Sequence, residues 1–387
     1  MGVRKRRAAR LHRDCRHFPG DRPCRFHKND GRSCDRCGDY APVRDRILIV
    51  KLDALGDVLR TTAILPALAA RYPGATITWL TRPEAVPLLA ENPYLHEVWP
   101  LSPITVVRLA VEDFAVVLGL DPAKEAAALT AMAHGRIKRG FGLGPDGQVR
   151  PLQHAAELWF RMGSCDPIKR ANTETYQRHI ARICELPANA LHIVLRLTQD
   201  ERRWAEGERL RLGLGTRHPL IGVNLGGGGR WEKKRWTREH LRSFLAAAEA
   251  QCGGRALLFG GELERDVMSE LTQRCAQYAV STDTAGDLRR LFALLAMCDV
   301  VVTGDSLALH AAVGLGVPVV ALFGPTSAAE IDLEGRGTKL VPEMECVCCY
   351  RMRCDRRPSC MDRIYAERVL AAVHTILNAT HAQEASA

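Results

Sequence analysis

Short apolar runs alternate with longer amphipathic stretches along most of the chain. The first run, Ile47-Leu48-Ile49-Val50, has the composition of a strand that is covered on both faces, as in a parallel sheet. A helix is predicted over residues 58–72, where Pro66 should kink or split it. Further strands are predicted at residues 75–80, 97–99 and 115–118, with helices at 84–91 and 123–133. This alternation predicts an α/β domain with parallel strands.

The same pattern begins again near residue 219. Strands are predicted at residues 220–224, 256–259, 300–302 and 317–323, and helices at 238–251, 264–276, 288–297 and 307–315. The intervening residues 150–215 are rich in Arg and Glu and are predicted to be helical. The chain is therefore expected to form two doubly wound domains. Because ligands bind at the carboxyl ends of the strands in such sheets, the two edges can close over one cleft.

The length of 387 residues agrees with two domains of ordinary size plus appendages. We expect a basic, Cys-rich segment at residues 1–45, a first domain at 46–200, a second domain at 215–340, and a Cys-rich segment with a final helix at 341–387. No apolar stretch reaches the length of a membrane-spanning helix, and no hydrophobic segment follows the basic start. These features predict a cytoplasmic protein.

The positive charge is concentrated at the start of the chain. The net charge is +10, and residues 1–46 hold fourteen Lys or Arg and six Asp, which leaves +8 in that segment. Such a tail is typical of contact with an anionic surface, either the lipid head groups of the inner membrane face or nucleic acid. A solvated tail without a partner is the alternative interpretation.

Nine of the fourteen cysteines fall into two groups. The first contains Cys15, Cys24, Cys34 and Cys37, with His17 and His27 nearby; the second contains Cys346, Cys348, Cys349, Cys354 and Cys360. In a reducing compartment, grouped cysteines favour metal binding over disulfides. A structural zinc ion or an iron–sulfur cluster is therefore predicted, most clearly at the first group. Thiols that bind no metal are the alternative.

A candidate anion site follows the strand at residues 300–302. Asp305 or Ser306 is expected to cap the next helix, whose first turn offers backbone N–H donors and the positive end of its dipole. His310 lies one turn further and adds a donor, so a diphosphate would fit here. A capped helix with a histidine that binds no ligand is the other interpretation.

Two further segments follow strands of the second domain. Gly228 and Gly229 belong to a run of four glycines that allows a ligand to approach the backbone closely, and Lys234 can bind phosphate. Glu262 lies just after a strand, where a carboxylate can accept two ribose hydroxyls, and Glu264 is the neighbouring candidate. A flexible basic loop and an acid at a helix start are the simpler interpretations.

In this order the motifs resemble the ADP-heptose:lipopolysaccharide heptosyltransferase family, glycosyltransferase family 9. The matching stretches are "ILIVKLDALGDVLRTTAILPAL", "YPGATITWLT", "KKRW", "FGGE" and "VVTGDSLALHAAVGLGVPVVALFGPT", within residues 46–330. The resemblance implies a GT-B fold, two Rossmann-like domains facing a central cleft. It also implies inverting transfer of a heptose or related sugar from a nucleotide-diphosphate donor, which family precedent makes ADP-heptose, to a lipopolysaccharide-type or other glycan acceptor, with no cofactor.

Site roles carry over from the family at matching positions. The resemblance implies that Asp57 is the general base, Lys234 lies near the donor phosphates, and Glu262 binds the ribose. Asp305, Ser306 and His310 match a segment that faces the diphosphate. Leu307 stands where the family usually has glycine, which could narrow the approach to the diphosphate.

Two other functions fit parts of the sequence. One is a non-catalytic nucleotide- or nucleic-acid-binding assembly factor that uses the basic Cys-rich segment; the other is a nucleotide-sugar epimerase, which can share the two-domain architecture. The combination of Asp57, Lys234, Glu262, Asp305 and His310 favours the transferase, and nucleic acid is the less favoured partner.

Overall fold

The computed structural model describes residues 11–215, 219–227, 232–282, 284 and 286–384. The predicted ligand contacts Gly228 and Gly229, and the first ten residues of the basic segment, lie outside these ranges. Across the part of the chain that is described, no helix is both long enough and apolar enough to cross a membrane.

The apolar run at residues 47–50 lies in the interior of a six-stranded sheet with strand order β3-β2-β1-β4-β5-β6. Ile47, Leu48, Ile49 and Val50 are fully buried, as the absence of polar residues in the run predicts. The first five strands are parallel and the sixth is antiparallel. The strands are β1 (Arg46–Val50), β2 (Thr76–Thr81), β3 (Glu97–Pro100), β4 (Asp113–Gly119), β5 (His134–Leu143) and β6 (Val149–Pro151).

The helix predicted after β1 is split, as Pro66 predicts, because proline is tolerated only in the first turn of a helix. A short 3₁₀ helix, Thr62–Ile64, separates the two parts, and Pro66 lies in the first turn of the second part. The helices that precede β5 in the chain are α1 (Arg25–Asp30), α2 (Leu55–Thr61), α3 (Leu65–Arg71), α4 (Val86–Leu89), α5 (Pro103–Val111) and α6 (Lys124–Met132).

Helices occupy much of the segment between the two sheets, as its composition predicts, but residues 184–198 form no helix. They are α7 (His154–Ser164), α8 (Asp166–Arg170), α9 (Tyr176–Ile183) and α10 (Gln199–Arg211). A capping box starts α10: the Thr198 hydroxyl accepts from the Glu201 amide, and the Glu201 carboxylate accepts from the Thr198 amide.

The second sheet has six parallel strands in the order β12-β11-β10-β7-β8-β9. They are β7 (Leu220–Asn224), β8 (Arg255–Phe259), β9 (Ala279–Ser281), β10 (Val300–Gly304), β11 (Val319–Leu322) and β12 (Gly337–Leu340). The helices are α11 (Arg238–Cys252), α12 (Arg265–Arg274), α13 (Leu288–Leu295), α14 (Leu307–Gly314) and α15 (Ala366–Glu384). Further 3₁₀ helices are Cys34–Arg36, Pro83–Ala85, Glu232–Lys234, Glu262–Glu264 and Met361–Arg363.

The end of the chain belongs to the second half. The last helix, α15, packs against α11 and the second sheet. Val369, Val373 and Leu377 of α15 share a hydrophobic core with Leu241 and Phe244 of α11. Burial of this apolar face stabilises the position of α15 on the second half.

The two halves meet through α2 and α14. Val58 and Leu59 of α2 and Ala308, Leu309 and Ala312 of α14 are buried in one hydrophobic core. A Cβ added to Gly56 would lie 2.8 Å from Cδ2 of His310, so only glycine fits between the helices in this arrangement. Each helix follows the carboxyl end of a strand, which places both starts at the cleft.

Candidate active site

A cavity of about 1470 Å³ lies between the two sheets. From the first half it is lined by the start of α2 and by α8, and from the second half by the loops that follow β7, β8, β10 and β11. The sequence predictions fall here: Asp57, Lys234, Glu262, Asp305, Ser306, Leu307 and His310 all line the cavity.

Asp57 lies in the first turn of α2, on the wall formed by the first half. Its carboxylate oxygen Oδ1 accepts a hydrogen bond from Nε of Arg60 at 2.9 Å and lies 2.8 Å from Nη2 of the same guanidinium. Burial alone would raise the pKa of Asp57, but the nearby charges of Arg60, Lys51 and His310 outweigh it and lower the pKa to about 2. Asp57 is therefore ionised at neutral pH.

Arg60 lines the cavity beside Asp57, and the sequence reasoning did not identify it as a candidate site residue. Its side chain is only 9% exposed, and its guanidinium carbon lies 3.7 Å from the centre of the Tyr176 ring. Nη2 also lies 4.0 Å from Oε2 of Glu330, in the second half of the molecule. The spacing of three residues from Asp57 on a helix was the signal that could have identified it.

In the part of the cavity formed by the second half, Lys234 and Asp305 form a partly buried ion pair. The ammonium Nζ donates to Oδ2 of Asp305 at 2.8 Å and to its backbone oxygen at 3.1 Å. Burial raises the pKa of Asp305, yet Lys234 and His310 lower it below its ordinary value. A lysine ammonium has three N–H groups, so two contacts leave one donor for a ligand.

Ser306 is the N-cap residue of α14, as one of the two predictions states, but the predicted side-chain hydrogen bond to the helix does not form. Ser306 occupies the N-cap position without a side-chain bond to the helix, because its hydroxyl lies 3.0 Å from that of Thr303 and accepts from Asn224 at 3.1 Å. Asp305 is occupied by Lys234. The side chains thus leave the first amides of α14 to a ligand in the cavity.

His310 lies one turn into α14, 5% exposed. Burial, with a smaller contribution from Arg60, lowers its pKa to about 4, so the imidazole is neutral at pH 7 and offers one N–H donor. Leu307, the departure from the family pattern, is the first residue of α14 and packs against the core between the halves while bordering the cavity.

Glu262 and Glu264 both border the cavity but differ in environment. The Glu262 side chain is 73% exposed and pairs with Arg265. Glu264 is 5% exposed; Oε2 accepts from the Gly261 amide at 3.0 Å, and Oε1 lies 2.9 Å from Nη2 of Arg235. The buried, oriented carboxylate at the end of β8 is therefore that of Glu264.

The two cysteine groups lie in different places. Cys15, Cys24, Cys34 and Cys37 line a second cavity of about 550 Å³, which His17 and His27 also border. In the second group, burial and the neighbouring thiols of Cys349, Cys354 and Cys346 raise the pKa of Cys360 to about 11. Within the described ranges, no three His, Cys, Asp or Glu side chains lie close enough together to hold a metal ion.

Two facing α/β domains, with a carboxylate, a lysine, a histidine and helix amides around the cleft between them, have the architecture of the GT-B fold. The chain belongs to glycosyltransferase family 9 (heptosyltransferase), whose family model matches residues 107–358. The predicted family, fold class and enzyme class are therefore confirmed.

Curated relatives and solved structures agree with this assignment. Lipopolysaccharide heptosyltransferase 2 of Escherichia coli K12 is 27% identical over 308 residues, 73% of this chain and 83% of that protein. In fold, the chain is similar to the family 9 glycosyltransferase of Veillonella parvula, with a TM-score of 0.67, 20% identity and coverage of 87% and 97% of the two chains. E. coli ADP-heptose LPS heptosyltransferase II gives a TM-score of 0.64 at 20% identity, covering 87% and 100%.

Proposed function

We propose that this glycosyltransferase moves a heptose from ADP-heptose to a lipopolysaccharide-type acceptor, with Asp57 as general base. The observation that carries the proposal is that Asp57, from the first half, and the first turn of α14, from the second half, line the same cavity. Inverting transfer needs one carboxylate to take the proton of the acceptor hydroxyl, and donors opposite it to stabilise the leaving diphosphate. The names of the relatives supply the sugar, the nucleotide and the acceptor.

The donor is held by the second domain in this proposal. The free amides of α14, the Ser306 hydroxyl and the His310 imidazole bind the diphosphate, and the remaining N–H of Lys234 donates to a phosphate oxygen. Asp305 keeps the lysine at the cavity edge. Because this pair is neutral overall, the helix N-terminus supplies much of the attraction for the anion.

For the ribose we propose Glu264 in place of Glu262. A carboxylate fixed by the Gly261 amide and Arg235 needs little reordering to accept two hydroxyl donors. Ribose binding by Glu262 stays a prediction, since its side chain also borders the cavity.

The acceptor enters on the side of the first domain. Lys169 of α8 borders the cavity, with its ammonium 3.8 Å from the centre of the Tyr350 ring. This cation suits an anionic glycan near the base. We further propose that the basic N-terminal segment contacts the anionic cytoplasmic face of the inner membrane, where a lipid-linked acceptor would lie.

The cysteines are proposed to hold a structural zinc ion or iron–sulfur cluster that takes no part in transfer. The second cavity, lined by four thiols and two imidazoles, supports this for the N-terminal group. The thiols would have to move together to coordinate a metal. Elemental analysis of anaerobically purified protein tests the idea: zinc or iron at one or more equivalents supports it, and the absence of both refutes it.

A donor and acceptor screen tests the function. ADP-, UDP- and GDP-linked sugars are titrated calorimetrically and then incubated with heptose-bearing lipopolysaccharide core, and the products are examined by mass spectrometry. We expect ADP-heptose to bind and to add one heptose to the acceptor. Tight, salt-dependent RNA binding with no nucleotide binding would instead support the non-catalytic alternative.

A further inference from the structure

The Arg60 guanidinium donates its hydrogen bond to one of the two carboxylate oxygens of Asp57. Nε donates to Oδ1 at 2.9 Å, and Nη2 lies 2.8 Å from the same atom. Within the described residues, Oδ2 has no hydrogen-bond partner. A carboxylate held through one oxygen presents the other in a fixed direction, which is the requirement for a base that must meet one hydroxyl.

Arg60 is itself held by residues from outside α2. Its guanidinium lies over the Tyr176 ring, and the Tyr176 hydroxyl lies 2.7 Å from that of Thr61. Tyr176 also donates its backbone N–H to the backbone oxygen of Glu330 at 2.9 Å. The Glu330 carboxylate lies 4.0 Å from Arg60 through Oε2 and accepts from the Tyr350 hydroxyl at 3.1 Å through Oε1. Glu330 and Tyr350 belong to the second half, so the position of Arg60 depends on the approach of the two halves.

We propose that Arg60 is a positioning residue that aligns Oδ2 of Asp57 with the acceptor hydroxyl, and that Glu330 holds Arg60 in place when the halves are closed. The inference rests on the proposed role of Asp57. In this proposal, Arg60 aligns Asp57 only when the two halves of the molecule have approached each other.

The charged and titratable groups around this pair determine its response to pH. Lys51 at the end of β1 and His310 on α14 face Asp57, and Tyr176, Glu330 and Asp305 face Arg60. Without the arginine, burial of Asp57 is opposed mainly by Lys51, so the pKa of Asp57 rises. Activity that needs the ionised carboxylate should then be lost at a higher pH.

The test compares Arg60→Met, Arg60→Lys and Glu330→Gln with wild type, and uses Arg71→Met at the exposed end of α3 as the control. For Arg60→Met we expect kcat to fall about 100-fold with little change in the KM for the donor, and the acid limb of the pH profile to move to higher pH. Arg60→Lys should restore the acid limb but only part of kcat, because lysine supplies the charge without the planar two-point contact. Glu330→Gln should lower kcat while leaving the acid limb in place, and Arg71→Met should match wild type.

Urea unfolding of each variant separates folding from alignment. An Arg60→Met enzyme with an unchanged acid limb, or with activity that tracks only its lost stability, would overturn the proposal while leaving Asp57 as the base. An Asp57→Asn enzyme with near-normal transfer would instead overturn the proposed function itself.

Discussion

The contact between Gly56 and His310 allows a sharp test of how the two halves approach each other. In Gly56→Ala, the new Cβ would lie 2.8 Å from Cδ2 of the buried imidazole. Carbon atoms in favourable contact are about 3.5–4.0 Å apart, so α2 and α14 must separate by roughly 0.7–1.2 Å. Overpacking of this kind costs about 1–3 kcal/mol of unfolding free energy.

The same separation of α2 and α14 should also lower the rate of sugar transfer. Asp57 follows Gly56 directly, and a displacement of about 1 Å between reacting groups can cost on the order of 100-fold in rate. We expect kcat of the heptose-transfer assay to fall between about 10- and 100-fold, and the dissociation constant of the donor to rise by less than that, because His310 is one of several groups proposed to bind the diphosphate. Urea unfolding and calorimetry supply the other two measurements.

Gly207 provides a matched control on another helix. It lies within α10, and a Cβ added there has no heavy atom within 4 Å. Gly207→Ala should therefore stabilise the protein by about 0.5–1 kcal/mol, through helix propensity, without affecting transfer. If Gly56→Ala were as stable and as active as Gly207→Ala, the close approach of α2 and α14 would be wrong.

Three further predictions concern the second domain. Glu264→Gln should raise the KM for the donor about 10-fold with kcat nearly unchanged, whereas Glu262→Gln at the exposed position should match wild type; equal effects in steady-state kinetics would contradict the choice between them. Lys234→Met should lower kcat about 100-fold, since it removes a donor to the leaving group and leaves Asp305 buried without its partner; a normal kcat would exclude that role. His310→Gln should flatten the pH dependence of the free energy of unfolding. The imidazole has a pKa of about 4 in the folded protein and 6.5 in the unfolded chain, so the unfolded chain binds a proton that the folded protein does not. Urea unfolding of wild type should therefore show a loss of roughly 3 kcal/mol as the pH falls from 6.5 to 4, and this loss should be absent from the variant.

The fold followed from the sequence because its signals are local. Ile47 to Val50 could only be a strand buried on both faces, and Pro66 could only begin a helix or break one, and both features were found. The packing position of α15 could not be predicted from local sequence, because it depends on which apolar surface of the folded sheets is left for the helix to cover.

The candidate site was predicted in part for the same reason. Asp57, Ser306 and His310 follow strands, and the carboxyl ends of parallel strands converge on the cavity. The pairing of the side chains could not be predicted from the sequence. Lys234 and Asp305 are 71 positions apart in the chain, and Arg60 and Glu330 belong to different halves of the molecule. Glu262 and Glu264 were indistinguishable in the sequence, because their burial is set by the 3₁₀ turn that contains both.

Transfer by Asp57→Asn tests the central claim most directly. The asparagine keeps the size of the side chain and removes the proton acceptor. With ADP-heptose and acceptor both saturating, we expect single-turnover transfer to fall by about 100- to 10,000-fold while the donor still binds with the wild-type dissociation constant. Transfer at a near-normal rate would contradict the account, because the proton would then be taken by a group other than Asp57.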